Sequence, residues 1–319
     1  MSLCLRIAIS LLAAVLASGC AASTGQRQRV LTPEEAKASF QKAEEDYRLG
    51  MYQSSHDAFM AAGAARYQAG PSLINAGASL LSLRDSAQAL PLLERATQEV
   101  PASAAAWYNY GLALYGTGAF DEAIKAFRRS IDLESDNADV WTALGAAFVS
   151  KRQPGVAAEQ FSRALALSPD NSTILAGRAA AYLDALLYEE AERDYQAVLA
   201  LGLEPVIGHT GLGEVYLARK QCAQAEEEFN RALEFSPGNS LIYYNLGITR
   251  RLCGDTAKAT DDFSRALAFD PEWSEALVMR GDTYLLRNEE DLGCKDLTEA
   301  CAMGNCARLE VVRASGMCR

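Results

Sequence analysis

Histidine is nearly missing from this chain: among 319 residues only His56 and His209 occur. So little imidazole leaves scant material for His-ligated metal centres or His-based acid–base chemistry. Positive charge is also short, with 30 Lys and Arg against 41 Asp and Glu and a net charge of −11. Nucleic acid requires a basic footprint for its phosphates, so it is excluded as the main partner. Long apolar stretches are lacking too. The longest, 7–17, falls short of the ~20 residues that cross a membrane. The fingerprints of P-loops, nucleophile elbows (G-x-S-x-G), zincins (H-E-x-x-H) and Rossmann domains are absent. Runs such as Glu44-Glu45 and Glu226-Glu227-Glu228 read as solvated helix faces, His209 as a helix-contact residue and His56 as exposed. Neither an enzyme, a cofactor nor a small-molecule substrate is expected. Apolar residues, by contrast, are plentiful: 50% of the chain is hydrophobic and 22% charged, the composition of a folded protein with a sizeable core. Length alone suggests about two domains.

Eight cysteines are many for a reducing compartment and point to export. The N-terminus supports that reading. Arg6 precedes the apolar stretch 7–17, and small residues follow it, the pattern of a secretory signal over 1–19. It stops at Leu16-Ala17-Ser18-Gly19-Cys20, which resembles the lipobox of bacterial lipoproteins. The resemblance implies that Cys20 becomes lipidated, with palmitate-type chains as the only non-protein group and the only membrane contact. Ala21 after the cysteine resembles the sorting pattern of outer-membrane lipoproteins, so the expected address is the cell envelope, lipid-anchored at the outer membrane and facing the periplasm. Residues 20–35 read as the lipidated cysteine and a polar tether.

The remainder repeats. Gly111, Gly145, Gly213, Gly247 and Gly281 lie on one 34-residue grid whose starts are 36, 70, 104, 138, 172, 206, 240 and 274. Position 8 of every repeat is small and so is position 20. Position 24 is large and apolar: Phe59, Leu93, Phe127, Phe161, Tyr195, Phe229, Phe263 and Leu297. Apolar residues at 4, 7, 8 and 11, then at 20, 24 and 27, predict two amphipathic helices per repeat. The small residues let the pair approach, the knob at 24 fills the hole beside them, and one hairpin cannot bury both its faces, so hairpins must stack. Thr32, Pro33 and Glu35 form a helix start signal. In the first repeat Ser39, Lys42 and Asp46 replace apolar residues, as expected of a solvated terminal repeat.

The set Trp107-x2-Tyr110-Gly111, Ala123, Phe127 resembles the tetratricopeptide repeat, as does Trp141-x2-Leu144-Gly145, Ala157, Phe161, Ala164, Pro169. That resemblance spans 36–307 and implies an all-α fold, a right-handed superhelical α-solenoid of eight helix hairpins, closed by a C-terminal cap over 308–319. It replaces the two-domain expectation with a single solenoid. In this family ligands lie against positions 2, 5, 6, 9, 12 and 13 of the first helix, on the concave side. Carried over, these give a protein- or peptide-binding groove at Phe40, Tyr47, Ile74, Asn75, Tyr108, Asn109, Tyr115, Tyr244, Asn245 and Arg251, with small residues between. The amides would hydrogen-bond a peptide backbone and the tyrosines supply contact area. The implied role resembles that of pilus-assembly and envelope adaptor lipoproteins, a scaffold or assembly factor; the alternative is a holdase-type accessory chaperone for exported clients.

Six cysteines remain for the exported domain. Cys222 and Cys253 fall near the turns of adjacent hairpins and are expected to pair. In the last repeat, a hairpin would pair Cys301 with Cys306 and Cys294 with Cys318, with Cys294–Cys306 and Cys301–Cys318 as the alternative. A metal site at these thiols is the less favoured reading, since no histidine lies near.

Overall fold

The computed structural model describes residues 31–318. The signal segment 1–19 and Cys20 lie outside the described residues. The chain divides between Val100 and Pro101 into two compact units. The first holds α1 (Pro33–Arg48), α2 (Tyr52–Ala64), α3 (Ala69–Ser82) and α4 (Ser86–Glu99). The second holds α5 (Ala104–Gly116), α6 (Phe120–Leu133), α7 (Ala138–Ser150), α8 (Pro154–Leu167), α9 (Ser172–Asp184), α10 (Tyr188–Leu201), α11 (Pro205–Ala218), α12 (Cys222–Phe235), α13 (Ser240–Leu252), α14 (Thr256–Phe269), α15 (Ser274–Leu286), α16 (Glu290–Ala302) and α17 (Ala307–Ala314). The described residues form no strand, so the fold is all-α. Each grid repeat is one hairpin of a first helix, A, and a second, B; α17 is added after the eighth.

Local signals explain the boundaries. The Thr32 hydroxyl accepts from the Glu35 amide and the Glu35 carboxylate accepts from the Thr32 amide, a complete capping box with Pro33 in the first turn. Helix α1 therefore takes in 33–35, the last three residues of the stretch read as tether. Every A–B turn closes the same way. The residue at position 15 is left-handed in all eight repeats: Gly50, Arg84, Gly118, Arg152, Leu186, Lys220, Gly254 and Asn288, with φ between 55° and 91°. The amide that follows bonds back to position 11, as from Asp85 to Leu80 and from Leu187 to Tyr182, which satisfies carbonyls at the helix end.

Packing follows the small-and-large rule of the grid. All eight side chains at position 24 are buried. A Cβ added at Gly77, Gly111, Gly145, Gly213 or Gly247 would fall 2.5–2.9 Å from Leu93, Phe127, Phe161, Phe229 or Phe263. The knob thus rests on bare backbone. Within the second unit each helix B packs on the next helix A, and consecutive A helices also touch. The A helices are the nearer neighbours and line one continuous face there.

Polar residues enter the packing where the sequence reading placed them in solvent. Asp46 is buried and accepts from the Ser54 hydroxyl at 2.6 Å, so it caps nothing exposed. Glu228 is buried too, 2.7 Å from His209 Nδ1. His56 is half-buried, with Nδ1 3.1 Å from the Ala76 carbonyl. In each case the partner removes the penalty that a lone polar group would carry. Glu228 belongs to a series. Asp194, Glu228, Asp262 and Asp296 all stand at position 23, all are buried, and each meets a base from its own helix A: Arg178, His209, Arg250 and Arg280. Arg178 and Arg280 use one geometry, a bidentate grip on the carboxylate and a bond to a serine of the preceding repeat, Ser162 or Ser264.

Candidate partner-binding faces

In the first unit the A helices α1 and α3 border a cleft of about 510 Å³, lined by Glu44, Tyr47, Arg48, Phe59, Asn75 and Ala78. Two predicted groove residues, Tyr47 and Asn75, meet there. Tyr47 is 38% exposed, its hydroxyl 3.1 Å from Ser82 Oγ and its ring edge-on to Tyr52. Phe40 is a correction. Its ring packs edge-on against Phe59 at 5.0 Å and Tyr67 at 5.7 Å, and it is buried. Ile74 is buried as well. Both fill the core rather than the groove, Phe40 against the rings of Phe59 and Tyr67.

In the second unit Tyr108, Asn109 and Tyr115 lie on α5. All three are half-buried. Tyr108 tilts against Phe127, and burial, then the Asp139 carboxylate, push its phenol up to about 12. Tyr115 repeats the Tyr47 arrangement: its hydroxyl is 3.1 Å from Ser150 Oγ in the next helix A. On α13, Tyr244 sits between Phe263 and Trp273, the latter 4.5 Å away. The Asn245 amide donates to Glu214 Oε1 at 3.0 Å, so that part of it is engaged within the fold. Burial raises the Glu214 carboxyl, and this bond partly offsets the effect. Arg251 is half-buried with no partner for Nε. Between these two clusters the A helices present Ala146, Ala176, Ala180 and Thr210, and the buried Thr210 hydroxyl has no partner. The face is therefore a floor of small side chains with aromatic, amide and carboxylate groups at either end.

The cysteines close the far end of the chain. Cys222 at the start of α12 is bonded to Cys253 at the end of α13, Cys294 to Cys318, and Cys301 to Cys306. The Cys294 bridge ties the chain after α17 back to α16, and Leu309 and Val312 of α17 pack on Leu297.

The sequence reading missed the acids at position 23. Their signal was present on the grid, one acid per repeat from the fifth to the eighth, each matched by a base on helix A.

A tetratricopeptide repeat model matches residues 74–140, 119–172 and 177–240, and a second such model matches 228–261. Among curated proteins none matches the sequence. Solved structures share the fold. A tetratricopeptide repeat protein from Parabacteroides merdae superposes with a TM-score of 0.65 at 20% identity, covering 77% of this chain and 97% of its own. PilW, a widely conserved type IV pilus biogenesis factor, gives 0.59 at 16%, covering 66% and 96%. The pilF protein of Pseudomonas aeruginosa gives 0.54 at 19%, covering 66% and 97%. With the first family model alone spanning more than half its length, the chain belongs to the tetratricopeptide repeat family, whose repeats serve as scaffolds for protein–protein interaction.

Proposed function

We propose that this protein is an envelope assembly scaffold, held by lipid at Cys20 and presenting its A-helix faces to a protein or peptide partner on the periplasmic side of the outer membrane. One observation carries the binding part. On the A helices, tyrosines with part of their surface in solvent stand beside the Asn75 and Asn109 amides, which have no side-chain partner among the described residues. Such amides can bond a peptide backbone without reading its sequence, while the rings contribute area. Likeness in fold to PilW and pilF is consistent with a role in assembly.

Replacing Tyr108→Ala together with Tyr115→Ala should weaken partner binding and leave helicity unchanged; equal binding would remove the face from the account. Cross-linking in native membranes separates the two roles. A single dominant partner fits the assembly scaffold, and a broad spread fits the holdase chaperone. Fractionation of a Cys20→Ala form tests the anchor, since continued membrane association would contradict it.

A further inference from the structure

The three bridges of the C-terminal repeats do not hold the same things. Cys222–Cys253 joins the sixth hairpin to the seventh at a sequence separation of 31, and Cys294–Cys318 ties the end of the chain to α16 at a separation of 24. Cys301–Cys306 has a separation of only 5 and links the end of α16 to the start of α17. In chain-entropy terms a bridge adds less to stability the shorter the loop it closes, so this one contributes least. The turn inside it is also held without it. The Asn305 amide donates to the Ala300 carbonyl at 3.0 Å and the Gly304 amide to the Cys301 carbonyl at 2.9 Å. Beyond the turn, α17 stays anchored by Leu309 and Val312 against Leu297 and by Cys294–Cys318. Opening Cys301–Cys306 therefore leaves two thiols side by side on an intact turn, placed to close again.

The same bridge is accessible and has a good leaving group. Both of its cysteines keep part of their surface in solvent, and Met303 and Gly304 beside them are exposed, whereas Cys318 is only 7% exposed. Cys306 is the N-cap residue of α17, and no side chain caps that helix end. The first-turn amides there have no carbonyl of their own helix to bond. A thiolate on that end is stabilised by those amides and by the helix dipole. In thiol–disulfide exchange the sulfur that is the better thiolate leaves faster. Cys222 also stands in a first helical turn, that of α12, but opening its bond removes a link between two repeats.

We propose that Cys301–Cys306 is a reversible thiol–disulfide exchange site for a dithiol, with Cys301 as the attacked sulfur and Cys306 as the leaving one. One thiolate of the dithiol attacks Cys301 Sγ. A mixed disulfide forms, the Cys301–Cys306 bond breaks, and Cys306 departs as the thiolate and takes up a proton. The second thiolate of the dithiol then attacks the dithiol's own sulfur in the mixed disulfide, so that the dithiol closes into a disulfide and Cys301 is released as a thiol. The bridge gains two electrons and two protons, and the dithiol loses them. This site is separate from the A-helix faces and does not depend on what they bind.

The oxidised full chain is exposed to limiting dithiothreitol for short, fixed times, quenched with N-ethylmaleimide and mapped by mass spectrometry, with circular dichroism recorded alongside. Cys301 and Cys306 should take up label together, ~10-fold or more faster than the cysteines of the other two bridges. Helicity should stay unchanged, and oxidised glutathione should restore the bridge. With glutathione, which carries one thiol, the mixed disulfide trapped by the quench should sit on Cys301 and the label on Cys306. Equal or faster opening of Cys222–Cys253 or Cys294–Cys318 overturns the site, as does opening of Cys301–Cys306 only when helicity falls. Glutathione found on Cys306 overturns the assigned leaving group.

Discussion

At the scale of single residues the fold depends on absent side chains as much as on present ones. Gly247 lets Phe263 lie on the backbone of α13, and a methyl there would sit 2.7 Å from the ring. Gly247→Ala should cost roughly 1–3 kcal/mol in denaturant unfolding. Gly155→Ala, with nothing within 4 Å of the new atom, should cost nothing measurable. Asp262 is 1% exposed and holds Arg250 at 2.6 Å. Asp262→Ala should destabilise by roughly 1–3 kcal/mol, because it leaves a half-buried guanidinium with only the longer pair to Glu226 at 3.3 Å. Tyr108 makes stability pH-dependent. The unfolded phenol ionises at ~10, whereas burial and Asp139 push the folded one up to about 12. Its contribution is therefore fully present below pH ~10 and is lost as pH rises toward 12. Tyr108→Phe should lessen the alkaline loss in urea midpoints measured across that window. The glycine and its knob were legible in the sequence because steric fit recurs at fixed spacing. The acids at position 23 were passed over, because a charged residue on an amphipathic helix ordinarily faces water; only their recurrence on the grid, from the fifth repeat to the eighth, marked them. Phe40 was misread for a related reason: position 5 can face the groove or the core, and the rings that receive it, Phe59 and Tyr67, lie later in the chain.

At the scale of elements the hairpin is governed by its turn. Leu186 is left-handed at φ 61° and 68% exposed, so its side chain gains nothing from the strain it bears. Leu186→Gly should stabilise the protein by ~0.5–1 kcal/mol, read from thermal or urea unfolding; a loss would show that Leu186 packs after all. Helix positions and the Thr32 cap were legible from periodicity and cap chemistry. The shared turn geometry was hidden, because Arg84, Arg152, Leu186 and Lys220 occupy a conformation that glycine usually announces. The bridges act at this scale too. Cys294→Ser with Cys318→Ser should cost ~2–4 kcal/mol and speed amide exchange in α17, whose tie to α16 it removes. Unchanged exchange would mean that Leu309 and Val312, with the Cys301–Cys306 bridge, suffice to hold α17.

For the whole molecule, the 34-residue register shows what the composition could only suggest. The apolar half of the chain is spread over eight hairpins, each burying its own knob. The acidic excess is divided between carboxylates matched with bases inside the second unit and carboxylates exposed to solvent on both helices of the hairpins, as at Glu122, Asp139, Glu159 and Glu275. The repeat register was legible in sequence but the division between Val100 and Pro101 was not, and the proposed binding face was legible only as positions, since exposure and pairing depend on neighbours one repeat away. The most direct test places a photocrosslinking residue at Leu112, between Tyr108 and Tyr115 on α5, and in a second form at the exposed Glu122 of α6, in cells of the native host. A discrete cross-linked partner is expected from Leu112 and none from Glu122. Equal cross-linking from both, or cross-linking from Glu122 alone, would contradict it.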